Sequence, residues 1–347
     1  MDEQSKRRNY HHFFIWFVIF AFFWMMSNSI AYGLAEFDNN FHKRKYLIEN
    51  FNHLKLKIGD RVFSQVLIGQ DGWMEYTGGS SLDDFQNSCP ITDESVHQIA
   101  RNIQLCTENA QKQGRIFLVL VAPNKASIYP DKLPSEIRSL ADKSRLEKIG
   151  DYLEQNNLPK IINPTSALKL AREDYQVYFQ TDTHWNSIGA YVAYTEIIKT
   201  VSQYYPEIKA FPIKKFGFKR GDPIARDLAD LIQAKYIVEA DLVPVFQDAF
   251  AYDITLPDPF GFRGFSSISD KSAPSLLMFG DSFGFTYLND FLKMHFSRSF
   301  YFHRDSSSKY LNNQIFNQFD PDIIIYQVVE RNLQILESDL INCAQNK

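Results

Sequence analysis

The sequence predicts an α/β fold, a three-layer sandwich with a mainly parallel sheet. Three observations carry that reading. The runs RIFLVLV at 115–121 and DIIIYQVV at 322–329 are apolar without alternation, the pattern of strands buried on both faces. Between them, stretches of helical spacing alternate with further short apolar runs, the rhythm of crossover units that place helices on both faces of a sheet. The composition, 45% hydrophobic and 22% charged over 347 residues, is that of a globular chain and excludes wholesale disorder.

In chain order, the first element stands apart. Residues 13–26 (FFIWFVIFAFFWMM) are fourteen uninterrupted apolar residues, and no charge interrupts the stretch before 35. Residues 13–35 number 23, and about 20 helical residues span a hydrocarbon core. The expectation is one N-terminal transmembrane helix at 13–35 after a short cytoplasmic tail at 1–12, with the chain from 36 onward on the far side. Lys6, Arg7 and Arg8 before the span are matched by Lys43, Arg44 and Lys45 after it, so the basic residues do not choose an orientation. Gly33-Leu34-Ala35 offers the small residues of a signal-peptidase site. The long, aromatic-rich run favours a retained anchor over cleavage.

Residues 65–68 read as a short strand closed by the turn Gly69-Gln70-Asp71-Gly72. Residues 92–113 have helical spacing through Val96, Ile99 and Ile103, with Thr92 and Asp93 as N-cap candidates and Gly114 as the stop. The strand 115–121 ends at Ala122-Pro123-Asn124. Helices are expected at 134–156, 165–172, 187–204 and 283–295, and short strands at 161–162, 177–180 and 275–279, before the last strand 322–329. From 205 to 274 the rhythm fails. Pro, Gly and Phe are scattered there, which reads as an irregular insertion over the sheet rather than a second domain.

Charge and cysteine usage exclude other classes. There are 37 Lys and Arg against 41 Asp and Glu, a net charge of −4 with no basic stripe, so nucleic acid is not the main partner. Three cysteines, Cys89, Cys106 and Cys343, are too few for a disulfide scaffold and lack the C-x-x-C spacing of a zinc ribbon or thioredoxin-like site. At most one pair forms; Cys89 with Cys106 is one option, and a buried free thiol is another.

Two strings carry chemistry. Gly280-Asp281-Ser282-Phe283 follows the strand 275–279 directly and opens a helix. Ligand crevices of parallel sheets lie at the carboxyl ends of strands. A serine there presents its hydroxyl to the crevice and its own N–H to a developing oxyanion, the arrangement acyl transfer needs. Asp281 can cap the helix, and on this string alone capping is the commoner explanation. Thr181-Asp182-Thr183-His184-Trp185-Asn186 lies between the strand 177–180 and the helix from 187, again at a strand's carboxyl end. A carboxylate two residues before a histidine can hold Nδ1–H and leave Nε2 free as a base. Alone, this is equally a loop histidine beside an Asn cap. A serine without a base is inert at neutral pH, and a histidine without an orienting group is poorly aimed. Both halves fall at one rim of the sheet, so Ser282, His184 and Asp182 form the candidate triad. His11 and His12 open the apolar segment, and His42, His53, His97, His295 and His303 have no ligand-like spacing; no metal site is expected. Trp73, Trp185 and the loop 260–265 are candidates for stacking on sugars, with core packing the commoner fate.

With these segments the chain resembles the alginate O-acetyltransferase AlgJ/AlgX family, which carries an SGNH hydrolase-like domain. The resemblance runs through Val66-Leu67-Ile68-Gly69-Gln70-Asp71-Gly72-Trp73, through Ala122-Pro123-Asn124-Lys125 to Ile128-Tyr129-Pro130 and Leu133-Pro134, through Asp182-Thr183-His184-Trp185-Asn186, and through Gly280-Asp281-Ser282-Phe283. Asp227-Leu228-Ala229 is similar to the family's GDLA segment, although Arg226 replaces its glycine, and Glu330-Arg331 to its C-terminal ER. The order, Asp-x-His before Ser, also fits; ordinary SGNH hydrolases place Asp-x-x-His after the serine. Too little chain follows Glu330 for the appended carbohydrate-binding module of AlgX-type members, so the membrane-anchored AlgJ type is expected.

The resemblance implies that 36–347 is one SGNH hydrolase-like catalytic domain on the periplasmic side of the inner membrane. It implies O-acetylation of an extracytoplasmic polysaccharide, with Ser282 as nucleophile, His184 as base and Asp182 orienting it. A membrane-bound O-acyltransferase partner would deliver the acetyl groups, and neither metal nor diffusible cofactor is required. The alternatives are a carbohydrate acetyl esterase with the same triad and a catalytically silent polysaccharide-binding or assembly protein.

Overall fold

The computed structural model describes residues 15–24, 44–246, 252–254, 262–267, 272–307 and 311–345. The chain divides into two units, Met1–Ile58 and Gly59–Lys347. In the first, residues 15–24 and Arg44–Lys57 are helical. The expected membrane helix at 13–35 meets a described helix only at 15–24, and its remainder lies outside the described residues. Among the described residues no helix is long and apolar enough to cross a membrane.

The second unit contains strands β1 (Val66–Ile68), β2 (Met74–Tyr76), β3 (Ile116–Ala122), β4 (Phe216–Arg220), β5 (Leu242–Phe246), β6 (Tyr252–Ile254), β7 (Phe262–Ser267), β8 (Leu276–Gly280), β9 (Arg298–His303) and β10 (Ile323–Val329). Six of them form one sheet in the order β3-β10-β8-β9-β7-β6. β3, β10, β8 and β9 are parallel, whereas β7 and β6 pair antiparallel at one edge.

Period-2 alternation along the three adjacent strands β3, β10 and β8 divides the core in two. Leu118 and Leu120 of β3, Leu276 and Met278 of β8, and Ile323 and Ile325 of β10 pack on one face. There they meet the helices Thr165–Ala171 and Ser187–Val201 through Leu168, Ala190, Tyr194 and Ile197. Their neighbours Phe117, Val119, Leu277, Phe279, Ile324 and Tyr326 pack on the other face, against the helices Asp93–Gln111 and Arg145–Gln155. Burial on both faces removes the polar half of the usual strand pattern, which is why these runs read as continuously apolar. The three-layer α/β sandwich follows from that arithmetic.

Local chemistry sets the element ends. Thr92 accepts from Ser95 N at 3.2 Å and starts the helix Asp93–Gln111. Asn186 accepts from the N–H groups of Ile188 and Gly189, both at 3.0 Å, and starts Ser187–Val201. The helix expected at 134–156 begins only at Arg145. Ser144 and Glu147 form a reciprocal capping box there, and the stretch before it is irregular. The helix expected at 283–295 is broken into a π-turn, Gly284–Leu288, and a single turn, Asn289–Leu292, with Tyr287 at φ +62°. A strand the pattern did not show, β9, follows.

The stretch 205–274 holds four strands rather than an irregular cover. β4 and β5 pair with each other, and β6 and β7 extend the main sheet. These strands are short, and Pro244 in β5 and Gly264 in β7 interrupt them, which weakens the strand signal. All three cysteines are free thiols; Cys89 is exposed and Cys106 buried, so those two do not pair. Cys106 instead meets Cys343, and burial followed by that neighbour pushes its thiol up.

Candidate active site

The carboxyl end of β8 turns sharply at Gly280-Asp281-Ser282. Asp281 is buried and points back into the sheet, where it accepts from Phe283 N (3.0 Å), Gln327 Nε2 (2.9 Å) and Val329 N (2.7 Å). The Gln327 amide oxygen in turn accepts from Asp281 N at 2.9 Å and Gly284 N at 3.1 Å. Space at Gly284 is tight: a Cβ there would lie 2.9 Å from Met278 Cε and 3.0 Å from Gln327 Oε1, so a side chain would have to displace one of them. With its neighbour anchored inward, Ser282 faces outward into a cleft of about 710 Å³. Among the described residues no acceptor meets the Ser282 N–H, which leaves it available to an oxyanion.

The loop after 177–180 approaches from the neighbouring rim. His184 Nε2 lies 2.7 Å from Ser282 Oγ, and His184 Nδ1 lies 2.6 Å from Asp182 Oδ1. Asp182 also accepts from the His184 backbone N–H at 3.0 Å, which ties the carboxylate to the residue it orients. Burial alone would raise the Asp182 carboxyl, but the hydrogen bond and charge of His184 outweigh it and hold it at about 2. The sequence-predicted residues Ser282, His184 and Asp182 therefore stand in one hydrogen-bonded line.

That loop is gripped from below by Lys125. Its fully buried ammonium donates to the carbonyls of Asp182 (2.7 Å), Phe179 (3.3 Å) and Gln180 (3.4 Å), satisfying all three protons. Burial lowers its pKa, opposed chiefly by Glu75 and then by Asp227, Asp182 and Glu239. Glu75 is itself pushed up to about 7 by burial, against the pull of Lys125 and Arg331. Glu330 rises to about 7 through burial and then the Asp84 charge, while accepting from Asn124 N at 2.8 Å and Ser127 Oγ at 2.6 Å. Arg331 differs from its neighbour Glu330. Its guanidinium lies 5.3 Å from the Tyr76 ring and 5.9 Å from that of Phe283, on the wall of the cleft.

Several cleft groups carry no sequence signal of their own. Tyr76, Gln233 and Asn332 line it, as does Asp227, whose Oδ2 lies 3.7 Å from His184 Nδ1. Asp227 was visible only through its resemblance to a family segment. Donor atoms of Asp182, His184 and Asp227 fall within 4.8 Å of one another, a spacing open to a metal ion. In that set both ring nitrogens of His184 already have partners, Asp182 for Nδ1 and Ser282 for Nε2.

The remaining candidates fall elsewhere. Trp185 is fully buried, its indole N–H donating to Thr286 O at 3.0 Å, so it packs and does not stack on a sugar. Trp73 lies against Tyr129 at 4.4 Å. Within 260–265 the backbone from 262 on is strand β7; residues 260 and 261 and all these side chains lie outside what is described. His295 is buried against Tyr194 Oη at 2.6 Å, His97 lies tilted against Tyr152, and His303 stacks on Phe285. His53 lies in the helix Arg44–Lys57, and His11, His12 and His42 lie outside the described residues.

Comparisons with known proteins bear on this geometry. The model of a family described as an SGNH hydrolase-like domain, acetyltransferase AlgX, matches residues 66–330. A probable alginate O-acetylase AlgJ of Pseudomonas syringae pv. tomato is 22% identical over 174 residues, 50% of this chain and 42% of that protein. The corresponding protein of Pseudomonas aeruginosa is 25% identical over 131 residues, 36% of this chain and 30% of its own length. The chain thus spans less than half the length of these curated relatives. Among solved structures, Bacillus cereus PatB1 with a sulfonyl adduct superposes with a TM-score of 0.59 at 16% identity, covering 77% of this chain and 94% of PatB1. The O-acetyltransferase domain of Pseudomonas putida AlgJ gives 0.53 at 18% identity, covering 78% and 92%. At these identities the structural likenesses speak for the fold.

Proposed function

The chain belongs to the AlgX-type family of SGNH hydrolase-like domains, and from that premise we propose that it O-acetylates a polysaccharide outside the cytoplasm through an acetyl-enzyme on Ser282. The observation that carries this reading is the continuous line Ser282–His184–Asp182, with contacts of 2.7 and 2.6 Å, at the open rim of the sheet. The alginate O-acetylase names of its relatives support the acetyl chemistry and a polysaccharide acceptor.

Ser282 Oγ attacks the acetyl carbonyl of the donor while His184 Nε2 takes the hydroxyl proton. The oxyanion is met by the Ser282 N–H, and His184 returns the proton to the departing donor group. In the second half a sugar hydroxyl attacks the acetyl-serine, loses its proton to His184 and leaves as the acetyl ester, and Ser282 regains its proton. Asp182 keeps Nδ1 protonated and stabilises the imidazolium formed in each half. The chemistry calls on neither a metal nor a diffusible cofactor. The donor is proposed to come from a membrane-bound O-acyltransferase, with the chain held at the inner membrane by 13–35. Exposure of Trp16, Phe20 and Phe23 along 15–24 supports that anchoring.

The decisive experiment supplies an acetyl donor, follows an acetyl adduct on Ser282 by mass spectrometry and then adds oligosaccharides of the producing cell's envelope. Acetylated sugar should accumulate at the expense of free acetate, since a well-held acceptor reaches effective molarities of about 10⁵ M or more against water. Acetate release indifferent to every oligosaccharide would favour the esterase. Ser282→Ala should lower turnover of a chromogenic acetyl ester by on the order of 10³-fold or more; a variant keeping a tenth of wild-type activity would rule Ser282 out. Wild-type protein that forms no adduct would point to the silent binding protein. N-terminal sequencing of membrane-bound material tests the anchor: a start at Glu36 would show cleavage.

A further inference from the structure

The stretch 205–274 has no periodic pattern, yet it supplies much of what touches the loop bearing Asp182 and His184. Glu239 accepts from Gln180 N and Thr181 N, both at 2.9 Å, and from Thr181 Oγ1 at 2.8 Å. Leu228 N donates to Thr181 O at 3.1 Å, and the Arg226 guanidinium covers the Phe179 ring at 4.0 Å. Asp227 reaches furthest. It accepts from Thr183 N at 2.9 Å and from Thr183 Oγ1 at 2.5 Å, and its second oxygen stands 3.7 Å from His184 Nδ1.

We propose that Asp227 is a positioning residue for the base, setting the tautomer and aim of His184 through Thr183. This rests on the reading of Ser282, His184 and Asp182 as the relay. The argument is one of donors and acceptors. Thr183 Oγ1 lies 3.2 Å from His184 Nδ1, close enough to donate its single proton there and compete for the position. Asp227 takes that proton, so Thr183 offers Nδ1 only a lone pair. Asp182 offers the same. Both neighbours of Nδ1 then demand that it carry hydrogen, and Nε2 is left with its lone pair toward Ser282. The titratable and charged groups around the imidazole are Asp182 on its own loop, Asp227 and Asp230 on the insertion, Ser282 after β8, and Tyr76 and Arg331 on the cleft wall, with Lys125 beneath.

The test compares full-length wild type with Asp227→Asn, Asp227→Ala and Asp182→Asn. Proton NMR follows the low-field signal of the His184 Nδ1 hydrogen, mass spectrometry the rate of Ser282 labelling by a sulfonyl fluoride, and ester turnover the pH profile. The low-field signal should be sharp in wild type, absent in Asp182→Asn and broadened by exchange in Asp227→Ala. Labelling of Asp227→Ala should slow by about 10²-fold, the scale of a small misplacement of a reacting group. Asp227→Asn keeps an acceptor for Thr183 N–H but loses the charge. Its labelling should fall less, and its acid limb should move to lower pH because the protonated base has lost a stabilising neighbour. Should Asp227→Ala unfold, Asp227→Asn decides alone. A wild-type signal, labelling rate and acid limb in these variants overturn the proposal. The signal needs no turnover, so its broadening in Asp227→Ala from protein that transfers no acetyl group would sustain Asp227's role while sinking the acetyltransferase reading.

Discussion

Ser282 reaches the cleft because Asp281 does not. The buried Asp281 carboxylate takes three donors from Phe283, Gln327 and Val329, and a residue so held cannot swing out and carry Ser282 with it. Asp281→Asn keeps the size but turns one oxygen into an N–H₂ facing a donor. Leaving a buried donor unmet costs about 1–3 kcal/mol. The expected outcome is a lower Tm together with slowed sulfonyl labelling of Ser282, measured by calorimetry and mass spectrometry on the same preparation. An unchanged Tm would mean that the three contacts are not all made in solution. At this scale the sequence was informative about which residues to watch and silent about what they touch. A helix cap at Asp281 was legible; its bonds to β10, 46 and 48 residues away, were not.

Elements were legible where their signal is local. The double-faced strands β3, β8 and β10 announced themselves because every residue of their centres is buried. The helix start at Arg145 was missed although its capping box is local too, since the preceding segment contains apolar residues at helix-compatible spacing. Ser144→Ala tests that start: it removes the bond from Glu147 N and should cost about 1 kcal/mol by urea unfolding. Ester turnover should stay at the wild-type level, because Ser144 serves the helix Arg145–Gln155 and does not line the cleft with Ser282. A loss of activity without a loss of stability would place Ser144 at the site after all. The strands β6, β7 and β9 were missed for a different reason. β6 lies at the edge of the sheet and β7 and β9 inside it, but polar residues such as Asp253, Ser266 and Ser299 interrupt their apolar runs, and mixed polarity erases the pattern on which sequence reading depends.

For the second compact unit, pH also acts through a buried group that does not line the cleft. His295 is sealed between Tyr194, whose Oη lies 2.6 Å from Nε2, and the Phe211 ring at 4.4 Å. Burial, then the Lys215 charge, lowers it from the ordinary 6.5 to about 4. The unfolded chain therefore binds this proton between pH 6.5 and about 4 while the folded chain does not. Stability from this group is complete above 6.5 and is lost as pH falls through that window, by on the order of 3 kcal/mol at most. Urea unfolding of wild type and His295→Gln at pH 7 and pH 4.5 checks the sign. The gap between the two should narrow as pH falls, whereas a constant gap would show that His295 does not titrate with folding.

The sequence by itself determined the layer structure, through three strands whose residues are apolar on both faces, and placed the Ser282 loop at a strand's carboxyl end; the strand expected at 177–180 is reduced to an isolated bridge between Tyr178 and Trp185. It also carried the family. Those are properties of short windows, and burial leaves its mark residue by residue. Only the tertiary structure decided that Nε2 of His184 stands 2.7 Å from a serine 98 positions later, and that Lys125 and Asp227 hold the loop between them. Contacts of that kind join segments with no common period. Their geometry is set by how the sheet twists and where the unpatterned insertion 205–274 comes to rest, and no window of sequence records either.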